Sequence, residues 1–199
     1  MVLRNRQARN SQATRVALIR VARNLFAKHG YAETATEDVV RRARVTRGAL
    51  YHHFRDKQDL FMAVFQEEHR RLAARAAEAA SKESNPWSAL MAGCDAFLEA
   101  CLDPEIRQIV LIDAPAVLGA EGWRESDQSV YLASVKARIK ASIDAGLIAP
   151  QPVDPLAHMI LGSYNEAAFV IAHAHDKQTA RRQVGEVAAR IWNSLRIRQ

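Results

Sequence analysis

The residues best suited to do chemistry lie in one short run, VTRGALYHHF, from Val45 to Phe54. Thr46 can cap a helix that begins at Arg47, its hydroxyl accepting from a backbone N–H that the first turn leaves without a partner. Arg47 then stands at the helix start with a forked guanidinium, which suits a phosphate or the acceptor edge of a guanine. Gly48 has no side chain to hold another surface away. Tyr51, one turn on, offers a flat apolar ring with a hydroxyl tip, able to meet a thymine methyl or a phosphate. His52 and His53 follow directly. A DNA major groove, about 12 Å wide, admits such a helix and brings its first residues to base edges. The chemistry expected here is recognition of double-stranded DNA.

Bond-making chemistry finds little support in the rest of the chain. There is no Gly-x-Ser-x-Gly elbow, no phosphate-binding glycine loop, no His-Glu-x-x-His and no paired-cysteine metal motif, so no enzyme and no cofactor are expected. His158, His173 and His175 cluster in sequence near the C-terminus. His173 and His175 stand two apart, which sends them to different faces of a helix, so no metal site is expected. Cys94 and Cys101 are seven apart, about 10 Å along a helix, too far for a disulfide; they read as small buried hydrophobes.

The charge is unevenly placed. The 199 residues carry a net +6, but residues 1–60 hold 13 Lys/Arg against five Asp/Glu, whereas the remainder hold 15 against 17. All the excess positive charge is N-terminal, as a polyanion partner for the first third would require, although on charge alone a merely solvated basic surface fits equally well. No stretch reaches the roughly 18 apolar residues of a membrane span, and the start MVLRNRQARN has no apolar secretory run. A cytoplasmic protein with no membrane contact is the expectation.

Positioning these residues falls to helices, because no segment alternates apolar and polar residues long enough for a strand. The fold class expected is all-α. Leu18, Ala22, Leu25 and Phe26 mark an amphipathic helix over 11–29, closed by Gly30 in a left-handed conformation. Thr34 with Glu37 reads as a capping box for a short second helix to about Ala43. Thr46 caps the third, to about His53, and Asp56 with Asp59 caps a long fourth, to about Ala80. Asn85–Pro86, Asp103–Pro104 and Asp154–Pro155 each predict a helix start. A further helix is expected from Ser126 to Ala145, ended by Gly146, and a last one over 177–195 on the seam Val184, Val187, Ala188, Ile191, Leu195.

The run from Leu18 through Leu60, with LFAKHGY, then TATEDVV, then VTRGALYHHF, then Lys57 and Leu60, resembles the DNA-binding domain of the TetR family of bacterial transcriptional regulators. The resemblance covers about a quarter of the chain and implies a helix-turn-helix domain over 1–56 and a helical effector-binding and dimerisation domain over 57–199. It assigns Tyr51 to DNA and His53 to the DNA backbone, turns Leu50 and Phe54 inward, and matches Thr36 and Lys57 to positions that hold phosphates. Two residues depart from the family pattern. Arg44 stands where a glycine usually takes a positive φ, and Ala35 stands where Thr or Ser often caps the second helix; each departure is worth on the order of 1 kcal/mol.

The body carries weaker signals. The helix after Pro155, to about His173, is apolar nearly all round and so is expected to be buried on two sides. Leu156, Ile160, Tyr164, Ala167 and Ile171 would face the core, while Met159, Gly162, Ala168 and Phe169 meet something else. The resemblance implies a homodimer in which the last two helices of each protomer form a four-helix bundle. Polar groups stranded on apolar helices, Asp113, His158, Asn165 and Glu166, must be bonded or must await a ligand. With the aromatics Trp87, Phe97, Trp123 and Tyr131 they are the candidate lining of a pocket for a small apolar effector that releases the protein from a palindromic operator. The rival expectation is a helix-turn-helix protein with no small effector, constitutive or answering to a protein partner; an architectural minor-groove binder is disfavoured by the single compact basic head.

Overall fold

The 3.6-residue periodicity is realised throughout: the computed structural model is all-α, and it describes the backbone of residues 2–197 and the side chains of 9–119, 122, 123 and 130–197. The helices are α1 (Val2–Glu33), α2 (Thr36–Ala43), α3 (Arg47–His53), α4 (Lys57–Ser81), α5 (Pro86–Ala100), α6 (Pro104–Ile106), α7 (Ala114–Asp144), α8 (Val153–His173) and α9 (Lys177–Asn193), with a π-helical stretch Arg107–Asp113 joining α6 to α7. Among the described residues the one non-helical pairing is an isolated antiparallel bridge between Ile148 and Arg196.

The head, α1 to α3 with the start of α4, closes on Leu18, Ala22, Phe26, Val39, Leu50, Phe54, Leu60 and Phe61, all buried. Leu50 and Phe54 turn inward as expected, which leaves the other side of α3 free. Phe61 packs edge to face on Phe26 at 5.2 Å and on Tyr31 at 5.1 Å between centroids, the arrangement that aligns positive ring edges with negative faces, and Phe26 and Tyr31 meet at 5.8 Å with their planes tilted by 31°.

The turn between α2 and α3 keeps its geometry without a glycine. Arg44 sits at φ 56, ψ 41, the left-handed region. The N–H of Val45 bonds to the carbonyl of Val40 at 3.1 Å and that of Arg44 to Arg41 at 3.3 Å, which is the double hydrogen bond of a Schellman end. Val45 and Val40 are both half-buried against the core. These interactions outweigh a left-handed cost of about 1 kcal/mol. Arg44→Gly is therefore expected to raise stability by about 0.5–1 kcal/mol, read from denaturant unfolding. A lower midpoint would show that Arg44 makes a compensating interaction. The α7 end repeats the motif with the expected residue: Gly146 has φ 66, and Leu147 bonds back to Ser142 at 3.0 Å.

Four sequence expectations need correction. Gly30 has φ 77 but ψ 168, an extended positive-φ conformation almost reserved for glycine, so it bends α1 sharply instead of closing it with a left-handed cap. Thr34 does not cap α2; the N-cap is Ala35 without a side-chain bond, and the buried Thr34 hydroxyl donates to the Gly30 carbonyl at 2.8 Å. Ser126 lies within α7, which runs from Ala114 and bends at Gly119 (φ 75, ψ 161). Asp154 lies inside the first turn of α8, whose N-cap is Pro152.

The remaining starts are as read. Thr46 accepts from the Ala49 N–H at 3.1 Å, Asp56 from Asp59 at 2.8 Å, and Asp59 in return from Arg55 at 3.0 Å. Asn85 accepts from Ser88 at 2.9 Å and Asp103 from Glu105 at 2.9 Å. The π-helical stretch ends at Asp113, two residues before Pro115 in the first turn of α7. A proline there cannot donate to the Leu111 carbonyl and its ring crowds that oxygen, which a wider turn relieves.

Candidate nucleic-acid interface and ligand cavity

The outer face of α3 gathers the residues picked from sequence. Thr46, Arg47, Gly48, Tyr51 and His52 are exposed, and His53 is half-buried. The Arg47 guanidinium lies over the Tyr51 ring, 5.5 Å from its centroid, and 3.6 Å from the Glu37 carboxylate. An ion pair this exposed is worth little and gives way to a better anion. A Cβ added at Gly48 would meet only the Thr46 hydroxyl, at an ordinary 3.9 Å. The fold itself therefore does not require glycine there. His53 is held below the usual histidine range by burial, then by His52 and Arg15, so at neutral pH it presents one N–H and one acceptor. Thr36 opens α2, half-buried, with its hydroxyl on Glu37 at 3.2 Å.

Lys57 is placed differently from the other basic residues. Its ammonium donates to the Ala32 carbonyl at 3.2 Å and sits 4.3 Å above the Tyr31 ring. Burial lowers its pKa from the ordinary lysine value. Lys57 thus ties the end of α1 to the start of α4, with at most part of its ammonium left for a phosphate.

Asp113 belongs to this junction and not to a pocket. Its carboxylate accepts from the Tyr31 backbone N–H at 2.8 Å and from Gln108 at 3.1 Å, so the body grips the bend of α1 directly. Burial pushes this carboxyl up from its ordinary value, opposed by those two bonds. A second tie is ionic: Arg23 of α1 reaches Glu68 at 2.6 Å and Glu105 at 2.8 Å, and Glu68 is buried. A third is Gln58, whose amide donates to the Val117 carbonyl at 3.0 Å.

Between α4, α5, α7 and α8 lies an apolar cavity of about 260 Å³. Of the eight candidate lining residues, Phe97, Tyr131 and Asn165 reach it. Trp87 is buried beside a second, more open cleft of about 320 Å³ between α5 and α9. Trp123 is committed to the core, donating its indole N–H to the Val110 carbonyl at 3.1 Å and packing on Phe169 at 5.1 Å. His158 and Glu166 are exposed on α8. The pattern missed what makes the space. Ala73, Ala76, Ala77 and Ala80 present only methyl groups from α4, and Gly93 lets α5 close on the Ala76 carbonyl, where an added Cβ would stand at 3.3 Å. The alanine run LAARAAEAA was the signal.

His69 connects this wall to the head side of α4. It is buried, its ring 4.2 Å from Phe65 and 5.8 Å from Tyr131, and the Tyr131 hydroxyl donates to its carbonyl at 3.2 Å. Burial pushes the imidazole down to about 4. A histidine of ordinary pKa in the unfolded chain takes up its proton first as the pH falls. Its contribution is thus fully present above pH 6.5 and is lost between about 6.5 and 4, at about 1 kcal/mol per pH unit. His69→Phe, which keeps an aromatic ring, should flatten that slope; an unchanged difference in unfolding free energy between pH 7 and 5 would contradict it.

The outward side of α8 and α9 is apolar. Met159 is 65% exposed, Val187 55%, Ile191 51% and Val170 48%, and a Cβ added at Gly162 would meet nothing within 4 Å among the described residues. Val184, Val187, Ala188, Ile191 and Leu195, read from sequence as one seam, contain both exposed large apolar residues of α9, Val187 and Ile191. Two residues expected to face outward do not. Ala168 is fully buried within the chain, and half-buried Phe169 packs on Trp123.

A basic three-helix head presenting a recognition helix, on a helical body with a cavity, defines a helix-turn-helix transcriptional regulator. The comparisons agree. Residues 18–64 match the family described as bacterial regulatory proteins, tetR family, and residues 87–195 match the tetracyclin repressor-like C-terminal domain. A TetR-family transcriptional regulator from Pectobacterium atrosepticum has the same fold, with TM-score 0.84 and 34% identity over 95% of this chain and 97% of that one. The transposon Tn10 TetC protein of Escherichia coli is 29% identical over 142 residues, 70% of this chain and 68% of that protein. FadR from Bacillus subtilis, solved in complex with stearoyl-CoA, shares the fold at TM-score 0.68 and 17% identity, over 87% of this chain and 96% of that one. The chain belongs to the TetR family of DNA-binding transcriptional regulators.

Proposed function

We propose that this regulator is a repressor that grips a palindromic operator as a homodimer and releases it when a small, mostly apolar molecule enters the body cavity. The reading assigns DNA contact to Thr36, Thr46, Arg47, Gly48, Tyr51, His52 and His53, with Lys57 holding the junction and reaching a phosphate at most in part. It divides the chain into a head over 1–56 and a body over 57–199, working in the cytoplasm. No helix among the described residues is long and apolar enough to cross a membrane, which fits that assignment. The dimer contact is assigned to α8 and α9, whose outward apolar residues Met159, Val170, Val187 and Ile191 are exposed among the described residues.

The observation that carries the sensor half is the cavity against α4. A constitutive regulator gains nothing from an apolar void, because an unfilled one forfeits packing that larger side chains would supply. Here α4 lines the void at Ala73 to Ala80 and caps at Asp56, beside α3. A ligand that repacks α4, or loosens the Asp113–Tyr31 and Arg23–Glu105 ties, changes how the two heads are held. Only a difference in ligand affinity between the two arrangements can do this: a tenfold loss of DNA affinity needs about 1.4 kcal/mol of coupling, and DNA must weaken the ligand by the same factor. The test is a thermal-shift screen of apolar compounds followed by operator titration with each stabilising compound. Compounds that fill the cavity should lower operator affinity reciprocally. Stabilising compounds that all leave DNA binding unchanged would leave the constitutive regulator standing.

A further inference from the structure

Resting on the sensor reading, we infer that the cavity is built for an amphipathic monocarboxylate whose apolar body fills the alanine-walled space and whose carboxylate is taken by Arg138. Among the described residues the lining includes one cation, Arg138, and no acidic residue. Arg138 follows Tyr131, Ser134 and Val135 along α7 at spacings of three, four and seven, so the helix brings it to the same face as the apolar wall. Its neighbours on α7 are neutralised: Lys136 holds Asp154 at 3.0 Å and Lys140 holds Asp144 at 2.9 Å. On α5, Asp95 and Glu99 are both held by Arg181 of α9, at 2.6 and 3.3 Å. The Arg138 guanidinium makes no ion pair or hydrogen bond among the described residues.

Arg138 is half-buried beside an apolar cavity, and with no acidic partner for its guanidinium among the described residues the complement it can take is an anion. A single planar fork matches one carboxylate in bidentate fashion, whereas a phosphate dianion would call for further cations, and no other cation among the described residues lines this space. The adjacent Cys94 thiol is pushed up to about 12, first by its burial, so no thiolate competes for the site. Size limits the body: an apolar cavity of about 150 Å³ takes benzene, so one of about 260 Å³ takes roughly ten non-hydrogen atoms. A medium-chain or arylalkanoic acid meets both requirements. The same apolar body carrying an ammonium would be repelled.

The experiment titrates the full-length protein with octanoate, octan-1-ol and octylamine, by thermal shift and calorimetry, in the wild type and in Arg138→Gln. Octanoate is expected to bind at least tenfold more tightly than the alcohol, and the amine more weakly than both. Arg138→Gln should bring octanoate to the level of the alcohol while leaving the alcohol unchanged. Equal binding of acid and alcohol by the wild type, no binding of octanoate, or a preference for the acid that survives in Arg138→Gln would overturn the inference. The wild-type comparison decides even if the variant folds poorly. If the alcohol binds as well as the acid and releases DNA, the sensor reading stands and the anion site falls. If octanoate binds through Arg138 without altering DNA affinity, the anion site stands and the sensor reading falls.

Discussion

Alanine at Tyr51 or at Arg47 is expected to weaken operator binding by about 1–3 kcal/mol while leaving the unfolding transition unchanged. Both side chains project from α3 away from the core that Leu50 and Phe54 close, so their removal opens no cavity. They also touch each other, the guanidinium lying 5.5 Å from the ring centroid. Each therefore helps to hold the other in place for DNA, and the double variant should lose less than the sum of the two singles. Gly48 supplies the complementary test. Because an added Cβ would be accommodated within the protein, Gly48→Ala should stabilise the free head by about 0.5–1 kcal/mol through the better helix former, yet weaken DNA binding by keeping the backbone off the duplex. Gel-shift affinities in Arg47→Ala and Tyr51→Ala equal to the wild type would remove α3 as the reading element.

The largest effect is expected from charge on the outward face of α8 and α9. In a two-fold dimer every substitution appears twice across one interface, so Met159→Glu or Ile191→Glu places two unpaired carboxylates in an apolar contact. Sedimentation should show monomers at concentrations where the wild type is dimeric. Operator affinity should fall by about 10²–10⁴, because the second half-site is no longer presented at a high effective concentration. Phe169 is a poorer probe, since its ring packs on Trp123 within the chain and its loss would disturb the core as well. A wild type that sediments as a monomer at micromolar concentration would contradict the assignment.

The head was largely legible in sequence because its signals are local. Capping side chains at Thr46 and Asp56, the apolar spacing of Leu18 to Phe26 and the order of small, basic and aromatic residues in α3 all act within a turn or two. What escaped was long-range. Asp113 looks like a stranded carboxylate among apolar neighbours, but its partner is a backbone N–H 82 residues earlier in the chain, and no side-chain pattern announces a backbone donor. Lys57 falls where a phosphate contact is expected, yet the bend at Gly30 brings the Ala32 carbonyl to its ammonium first. The cavity was sought among large aromatics, two of which, Trp87 and Trp123, fill other space. Its real signature was an absence, the alanine methyls of α4, and Arg138, the one cation among its described lining residues, looks in sequence like any charged residue on a solvated helix.

The central claim, a two-fold symmetric reader of DNA, is tested most directly by sequencing the genomic fragments that the purified protein retains from a sheared library. The account predicts an enriched inverted repeat, two matched half-sites at one fixed spacing, with the enrichment lost in Tyr51→Ala. Retention of fragments without a common motif, or of a single asymmetric site bound equally well by the Tyr51→Ala variant, would contradict it.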